Sequence, residues 1–230
     1  MPAVVLLSAG LDSTVNLKQA LDDGGVALAL TFDYGQRAAA REARSAAFMC
    51  QQLGVTHRLI LLPWLREISS TSLVSPQASL PEVTPEQLDQ PRVTSGETAR
   101  AVWIPNRNGV FVNIAAAYAE SLGAPVVVAG FNAEEAAAFP DNSAKFVSAA
   151  NASLGLSTLA QVRLSSYTQE LGKAEIVRLG RRIGAPIPAI WSCYCGESEH
   201  CWRCESCARL ERALREAGAW EWFHTQRRLP

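Results

Sequence analysis

Four short apolar runs, Val4 to Leu7, Val26 to Phe32, Leu59 to Leu62 and Val126 to Ala129, alternate with stretches of helical period at Asp12 to Leu21, Arg41 to Leu53 and Val110 to Leu122. Apolar runs this short and continuous are the mark of strands buried on both faces, as in a parallel sheet. Strands that alternate with helices predict a doubly wound α/β sheet with right-handed crossovers. At 230 residues, 48% of them hydrophobic and 19% charged, the chain can bury a core for one ordered domain with a small appendage.

The segment from Ser69 to Ala101 breaks this rhythm. It is rich in Ser, Thr, Pro and Gln, has a periodic stretch only around Glu86 to Asp89, and is far longer than a routine connection. It reads as an active-site lid, a dimer arm or a surface excursion. After Phe146 the pattern turns helical again, with an amphipathic stretch at Lys173 to Ile183 and a charged helix from about Glu205 to Glu216. The expected division is an α/β domain over 1–190, with 69–101 as its long arm, and an appendage over 191–230.

The net charge of -1 gives no overall electrostatic reason to bind nucleic acid or membranes. No apolar run approaches the ~20 residues that span a bilayer, and the N-terminus lacks the basic start and cleavage site of a secretory signal. The expected compartment is the cytoplasm. Five of the six cysteines crowd between Cys193 and Cys207, which in a reducing compartment points to a metal rather than disulfides. Cys201, Cys204 and Cys207 form C-x2-C-x2-C, a spacing that lets one short knuckle present several sulfurs to one tetrahedral ion. Cys193, Cys195 and His200 are the candidates for a fourth ligand, and an iron-sulfur cluster uses similar residues.

Directly after the first apolar run comes SAGLDST, Ser8 to Thr14. A loop that leaves a strand and opens a helix gathers unpaired backbone N–H groups at the positive end of a helix dipole, where anions bind without a cationic side chain. Ser8 offers a hydroxyl, Gly10 allows close backbone approach, and Asp12 or Ser13 can cap the helix. An ordinary capped turn has the same residue types. There is no Gly-Lys-Ser/Thr ending, so this is not a Walker A loop. Ala9 is nearly free if its φ is negative and costs about 1 kcal/mol if positive. The loop therefore requires that Ala9 have negative φ or turn its methyl away from the bound anion.

Arg107, between two asparagines at a helix start, presents a guanidinium fork suited to phosphate or carboxylate, or to a local salt bridge. Lys173 falls in the first turn of its helix, where a cation opposes the dipole, so contact with anions would give it a reason. Glu134, Glu135 and Asp141 place three carboxylates beyond the fourth strand, suited to Mg2+ or to the donor-rich face of a purine.

SAGLDST resembles the SGGxDS loop of the ATP pyrophosphatases, which split ATP between the α and β phosphates and put AMP on a substrate oxygen. DYGQR (Asp33 to Arg37), IPNRN (Ile104 to Asn108), GFNAEEAAAFPDN (Gly130 to Asn142), GKAEIVRLG (Gly172 to Gly180) and WSCYCGESEHCWRCESC (Trp191 to Cys207) follow in the order and rough spacing of the 7-cyano-7-deazaguanine synthases. The resemblance covers essentially the whole chain. It implies an adenine nucleotide alpha hydrolase-like, PP-loop fold and an ATP-dependent C–N ligase of 7-deazapurine and queuosine biosynthesis. Such a ligase joins 7-carboxy-7-deazaguanine and ammonia into 7-cyano-7-deazaguanine with ATP and Mg2+. By the same resemblance Ser8, Asp12, Arg107 and Lys173 are catalytic, and Ser8, Ala9, Gly10, Leu11, Asp12, Ser13, Thr14, Phe32, Tyr34, Gln36 and Arg37 hold the nucleotide. Asn132, Glu135, Phe139 and Asp141 face the deazapurine acid, and Cys193, Cys201, Cys204 and Cys207 bind a structural Zn2+. Small-molecule partners, no nucleic acid, no membrane and a homodimer are implied with it.

The chain departs from the commoner family pattern GVNAVDYSGYPDCR at Glu135, Ala136, Ala137, Asn142 and Ser143, and Ala38 stands where histidine is common. These changes fall where the purine is recognised, so a second reading keeps adenylation and alters the acid or the amine. A third, a nucleic-acid-binding zinc ribbon, needs a basic face, but Arg203, Arg209, Arg212 and Arg215 are interleaved with Glu197, Glu199, Glu205, Glu211 and Glu216.

Overall fold

In the computed structural model, which describes residues 1–88 and 97–228, five parallel strands are ordered β3-β2-β1-β4-β5. They are β1 (Ala3–Leu6), β2 (Val26–Asp33), β3 (His57–Leu61), β4 (Val126–Val128) and β5 (Arg163–Ser165). The longer helices are α1 (Leu11–Asp23), α2 (Ala39–Leu53), α3 (Arg107–Ser121), α4 (Ala144–Ser157), α5 (Lys173–Arg182), α6 (Glu205–Glu216) and α7 (Trp220–Gln226). Sheet order reverses between β1 and β4. That switch point opens a crevice beyond the carboxyl ends of the strands, where open α/β sheets take their ligands.

Three of the apolar runs become strands because both sheet faces are covered, whereas the run from Leu59 to Leu62 supplies the end of the edge strand β3, where Leu59 is 42% and Leu61 66% exposed, so the expected burial on both faces fails there. On β1, Val5 packs with α1, α2, α5 and α6 through Val15, Met49, Ile176 and Leu214, while Val4 packs with α3 and α4 through Val112, Ala115 and Leu154. Each of these side chains is at most 2% exposed, and burying a residue of Val or Leu size contributes about 1.5–3 kcal/mol. The doubly wound sheet thus has the architecture the alternating runs require.

A fifth strand, absent from the sequence reading, has a physical reason for its silence. In β5 only Leu164 is buried. Its outer edge is held by a side chain instead of a strand: Asn151 of α4 donates through Nδ2 to the Leu164 carbonyl at 3.0 Å, and its Oδ1 accepts the Leu164 N–H at 2.7 Å.

The described part of the long 69–101 connection packs closely. Leu73 and Val74 enter the core beside Leu65, and Val83 and Leu88 close over Ala208 of α6. Glu82 bridges Cys204 in antiparallel fashion, the Val83 N–H donates to the Arg203 carbonyl, and the Glu205 N–H donates to that of Pro81. Of the periodic stretch around Glu86 to Asp89, Pro85–Gln87 forms a short 3-10 turn, and Asp89 lies outside the described residues. Residues 205–226 join the core of the α/β sheet, with Leu210, Leu214 and Phe223 fully packed against it.

Candidate functional site

The β1–α1 loop opens the crevice. Gly10 is the N-cap of α1, in extended conformation and without a capping side chain, so the cap does not fall on Asp12 or Ser13. The first intrahelical bond runs from the Thr14 N–H to the Gly10 carbonyl at 3.0 Å. The N–H groups of Leu11, Asp12 and Ser13 therefore have no partner within the helix and sum with the dipole at one point. Ser8 and Ser13 hydroxyls meet at 3.1 Å beside them. Gly130, at the end of β4, allows this arrangement: a Cβ there would lie 2.6 Å from the Ser13 backbone nitrogen.

Ala9 has φ of 62°, in the left-handed region, so a negative φ at this position is ruled out. The alternative geometry is what the chain adopts: the methyl is 0% exposed, packs in the core with Val5 and Leu11, and does not line the cavity. The strain, about 1 kcal/mol, is offset by methyl burial and by a backbone bond from the Trp191 N–H to the Ala9 carbonyl at 2.9 Å. Thr14 likewise points inward, its hydroxyl against the Met49 sulfur at 3.4 Å.

One cavity runs from this loop across the crevice. Its walls include Ser8, Gly10, Leu11, Asp12 and Ser13, then Phe32, Tyr34, Gln36 and Arg37, then Arg107, Glu135, Phe139, Asp141 and Lys173. Ala9, Thr14 and Asn132 stand behind it. Asn132, fully buried, accepts the Glu135 N–H at 2.9 Å and so fixes the turn that carries Glu135.

Lys173 links the two sides. Its Nζ lies 2.6 Å from Asp12 Oδ2 and 2.5 Å from Glu135 Oε1. Burial opposes its charge, but the two carboxylates outweigh that and hold its pKa above the ordinary lysine value. Burial raises Asp12 to about 6 against the pull of Lys173, whereas for Glu135 the lysine wins and the pKa falls. Asp12 Oδ1 is buried with no hydrogen-bond partner. Glu134 turns away: Oε1 accepts the Lys173 backbone N–H at 2.6 Å, and Oε2 pairs with Arg212 at 2.7 Å.

The DYGQR turn is self-supporting. Gln36 accepts the Tyr34 N–H and donates both to the Phe32 carbonyl and to Glu42 Oε2. Burial pushes Glu42 up to about 7. Arg37 sends its guanidinium to the carbonyls of Ser75 and Ala78, so that head group anchors the long connection. Arg107 donates to the Tyr34 hydroxyl at 3.0 Å, with its guanidinium over the Tyr34 ring. Its charge opposes the effect of burial on Asp141, whose pKa nevertheless ends above the usual carboxylate range.

Several further wall residues carry no sequence signal. One is Trp103, which lies parallel to Phe139 of the GFNAEEAAAFPDN motif, 6° between planes, with centroids 6.3 Å apart. Tyr194, Glu205 and Arg209 come from the cysteine segment and α6. They reach the crevice because the 191–209 segment folds back against the loop after β1, where the Trp191 N–H donates to the Ala9 carbonyl, which no local spacing announces.

The sulfurs of Cys193, Cys201, Cys204 and Cys207 lie within 4.8 Å of one another, a set that fits one tetrahedral ion with bonds of about 2.3 Å. The Cys204 and Cys207 thiols, with the N–H groups of Cys201 and Cys195, converge on the Cys193 sulfur and hold its pKa far below the thiol range. His200 faces elsewhere: Nε2 accepts the Ser192 N–H at 3.2 Å and Nδ1 meets Arg227. The cluster is therefore compatible with a metal ion held by four thiolates.

Fold and site together define a doubly wound α/β protein with a loop of unpaired helix N–H groups at its switch point and a C-terminal metal-compatible cysteine cluster. The family model described as Queuosine biosynthesis protein QueC matches residues 2–218, and the chain belongs to that family. It is 56% identical over 218 residues to the 7-cyano-7-deazaguanine synthase of Pelotomaculum thermopropionicum, covering 95% of this chain and 98% of that one. It is 54% identical to that of Desulforudis audaxviator, with the same coverage. Among solved structures, NMN synthetase from Francisella tularensis has a TM-score of 0.47 at 16% identity, covering 100% of this chain and 87% of the other. Among the described residues, no helix is long and apolar enough to cross a membrane.

Proposed function

We infer that this chain converts 7-carboxy-7-deazaguanine and ammonia into 7-cyano-7-deazaguanine at the expense of ATP. The observation that carries the site assignment is a single cavity joining the N–H groups of Leu11 to Ser13 to a wall of Arg107, Glu135, Phe139 and Asp141. Family membership over residues 2–218 supports the same reaction.

A carboxylate is a poor acyl donor. Its oxygen attacks the α phosphorus of ATP, and the pyrophosphate leaves into the loop of Ser8, Gly10, Leu11, Asp12 and Ser13, where backbone N–H groups stabilise the departing charge. Ammonia adds to the acyl carbon and expels AMP, leaving an amide. The amide oxygen attacks a second ATP; loss of AMP, with the remaining two N–H protons going to solvent, forms the nitrile. The same geometry serves both adenylations, so positioning is the protein's main contribution.

In this reading Phe32, Tyr34 and Gln36 shape the nucleotide side, and Arg107 meets the carboxylate or the α phosphate. Lys173 leaves its carboxylate pair for the phosphates. Asp12, with an unpartnered buried oxygen, fits as one ligand of Mg2+, which when bound with ATP neutralises phosphate charge. Zn2+ on the four thiolates would be closed to substrate and structural. A homodimer and a cytoplasmic setting, where the thiols stay reduced, complete the proposal.

Purified protein with ATP, ammonia and the carboxy-deazapurine should release AMP and pyrophosphate and yield the nitrile by mass spectrometry. Absence of both AMP and nitrile would overturn the reading. AMP released only with a different acid would favour an adenylating ligase with altered substrate.

A further inference from the structure

Among the described residues, two cavity-lining carboxylates carry a buried oxygen without a partner, Asp12 and Glu205. Asp12 belongs to the phosphate end. Glu205 does not: it is the first residue of α6, immediately after Cys204, and stands with Tyr194 and Arg209 on the wall contributed by the cysteine segment. The residue is 3% exposed. Its Oε1 takes both bonds from Arg209, at 3.1 and 2.7 Å from Nε and Nη2, and its backbone N–H is fixed to the Pro81 carbonyl at 3.1 Å. Its Oε2 has no partner.

A buried acceptor left unpaired is costly, and a carboxylate oxygen can only accept. The group that fits must therefore offer N–H or O–H donors. The other carboxylates on this wall have donors already: Glu135 holds Lys173, and Asp141 takes Asn142 Nδ2 at 3.3 Å with Arg107 nearby.

We propose that Glu205 Oε2 reads the donor edge of the deazapurine base, the N1–H and 2-amino group, and so sets which heterocycle the enzyme accepts. This rests on the reaction proposed above and assigns a residue to its substrate selection. Adenine presents a lone pair at its N1, which the same oxygen would repel, so Glu205 also keeps ATP from occupying the acid's place. Arg209 holds the carboxylate in one orientation through two bonds to Oε1, which leaves the unpartnered Oε2 fixed rather than mobile.

The test compares the carboxy-deazapurine with its analogue lacking the 2-amino group, in wild type and in Glu205→Gln, which replaces an acceptor by a donor. Wild type should prefer the aminated acid by about 10- to 100-fold in kcat/KM, the range of one hydrogen bond to a charged group. Glu205→Gln should bring that preference within about 3-fold by raising KM for the aminated acid, with KM for ATP unchanged. Metal stoichiometry and the thermal midpoint report whether the cysteine segment is intact. If Glu205→Gln does not fold, Glu205→Asp, which keeps a charge for Arg209, should show the same loss of preference. A variant that folds, keeps its metal and retains the wild-type preference would overturn the assignment. Failure of wild type to form AMP with either acid would instead overturn the reaction itself.

Discussion

The two ends of the cavity are built by opposite means. The loop end is one contiguous stretch, Ser8 to Ser13, whose exposed polar groups are backbone N–H and two small hydroxyls fixed by the strand-to-helix turn. The far end is assembled from side chains distant in the chain, with Tyr194 and Glu205 brought to Trp103 and Phe139 by the return of the cysteine segment. A backbone site tolerates change in side chains provided the turn survives. A side-chain site depends on everything that positions those residues.

Lys173, which touches both ends, gives the largest expected effect. Lys173→Met leaves Asp12 and Glu135 buried without their cation, so stability should fall by about 3–5 kcal/mol in chemical denaturation and AMP release should drop by at least about 1,000-fold. A variant as stable and active as wild type would break the link between the two ends.

Cys204→Ser should separate them. Losing one thiolate of the cluster should abolish tight metal binding and loosen the turn that carries Glu205, raising KM for the acid by about 10-fold or more while KM for ATP moves about 2- to 3-fold. Equal losses for both substrates would show that the ends are not independent.

A smaller effect is expected at Glu42, which accepts from Gln36 of the DYGQR turn. Its folded pKa, about 7, lies above the ordinary glutamate value, so between about pH 4.5 and 7 the folded protein holds a proton that the unfolded chain has released. Stability should therefore fall as pH rises through that window. Glu42→Gln should flatten the slope, measured as denaturation midpoint against pH; an unchanged slope would place the titration elsewhere.

The smallest effect belongs to Ala9→Gly. Relief of the left-handed strain is offset by the lost buried methyl and by the freer unfolded chain, leaving a stability change under about 1 kcal/mol. With the methyl in the core, kcat/KM for ATP should stay within about 2-fold. A large change would mean that backbone geometry at the loop depends on that methyl.

The same contrast explains what the sequence made legible. β1, β2 and β4 announce themselves because both faces are buried, and the loop after β1 because its groups are consecutive. The four clustered cysteines are readable because metal ligands must be close, and a knuckle keeps them close in sequence too. β5 was silent because only Leu164 of its three residues is buried, too little for an apolar run, and its free edge is bonded by the Asn151 side chain. Glu205 was silent for another reason: in sequence it is one of five acidic residues interleaved with arginines, and only its burial at the cavity wall sets it apart. Arg37, a motif residue, lines the cavity, but the tie of its head group to the carbonyls of Ser75 and Ala78 has no trace in the motif.

The bond from the Trp191 N–H to the Ala9 carbonyl ties one of the first turns to be synthesised to a segment made near the end. At 5–20 residues per second, about 10–40 s pass before the ribosome has supplied the partner that completes the first loop. Through that interval the Ala9 carbonyl lacks the Trp191 N–H that it accepts in the folded chain. The loop after β1 therefore gains its full set of bonds late even though its sequence comes first.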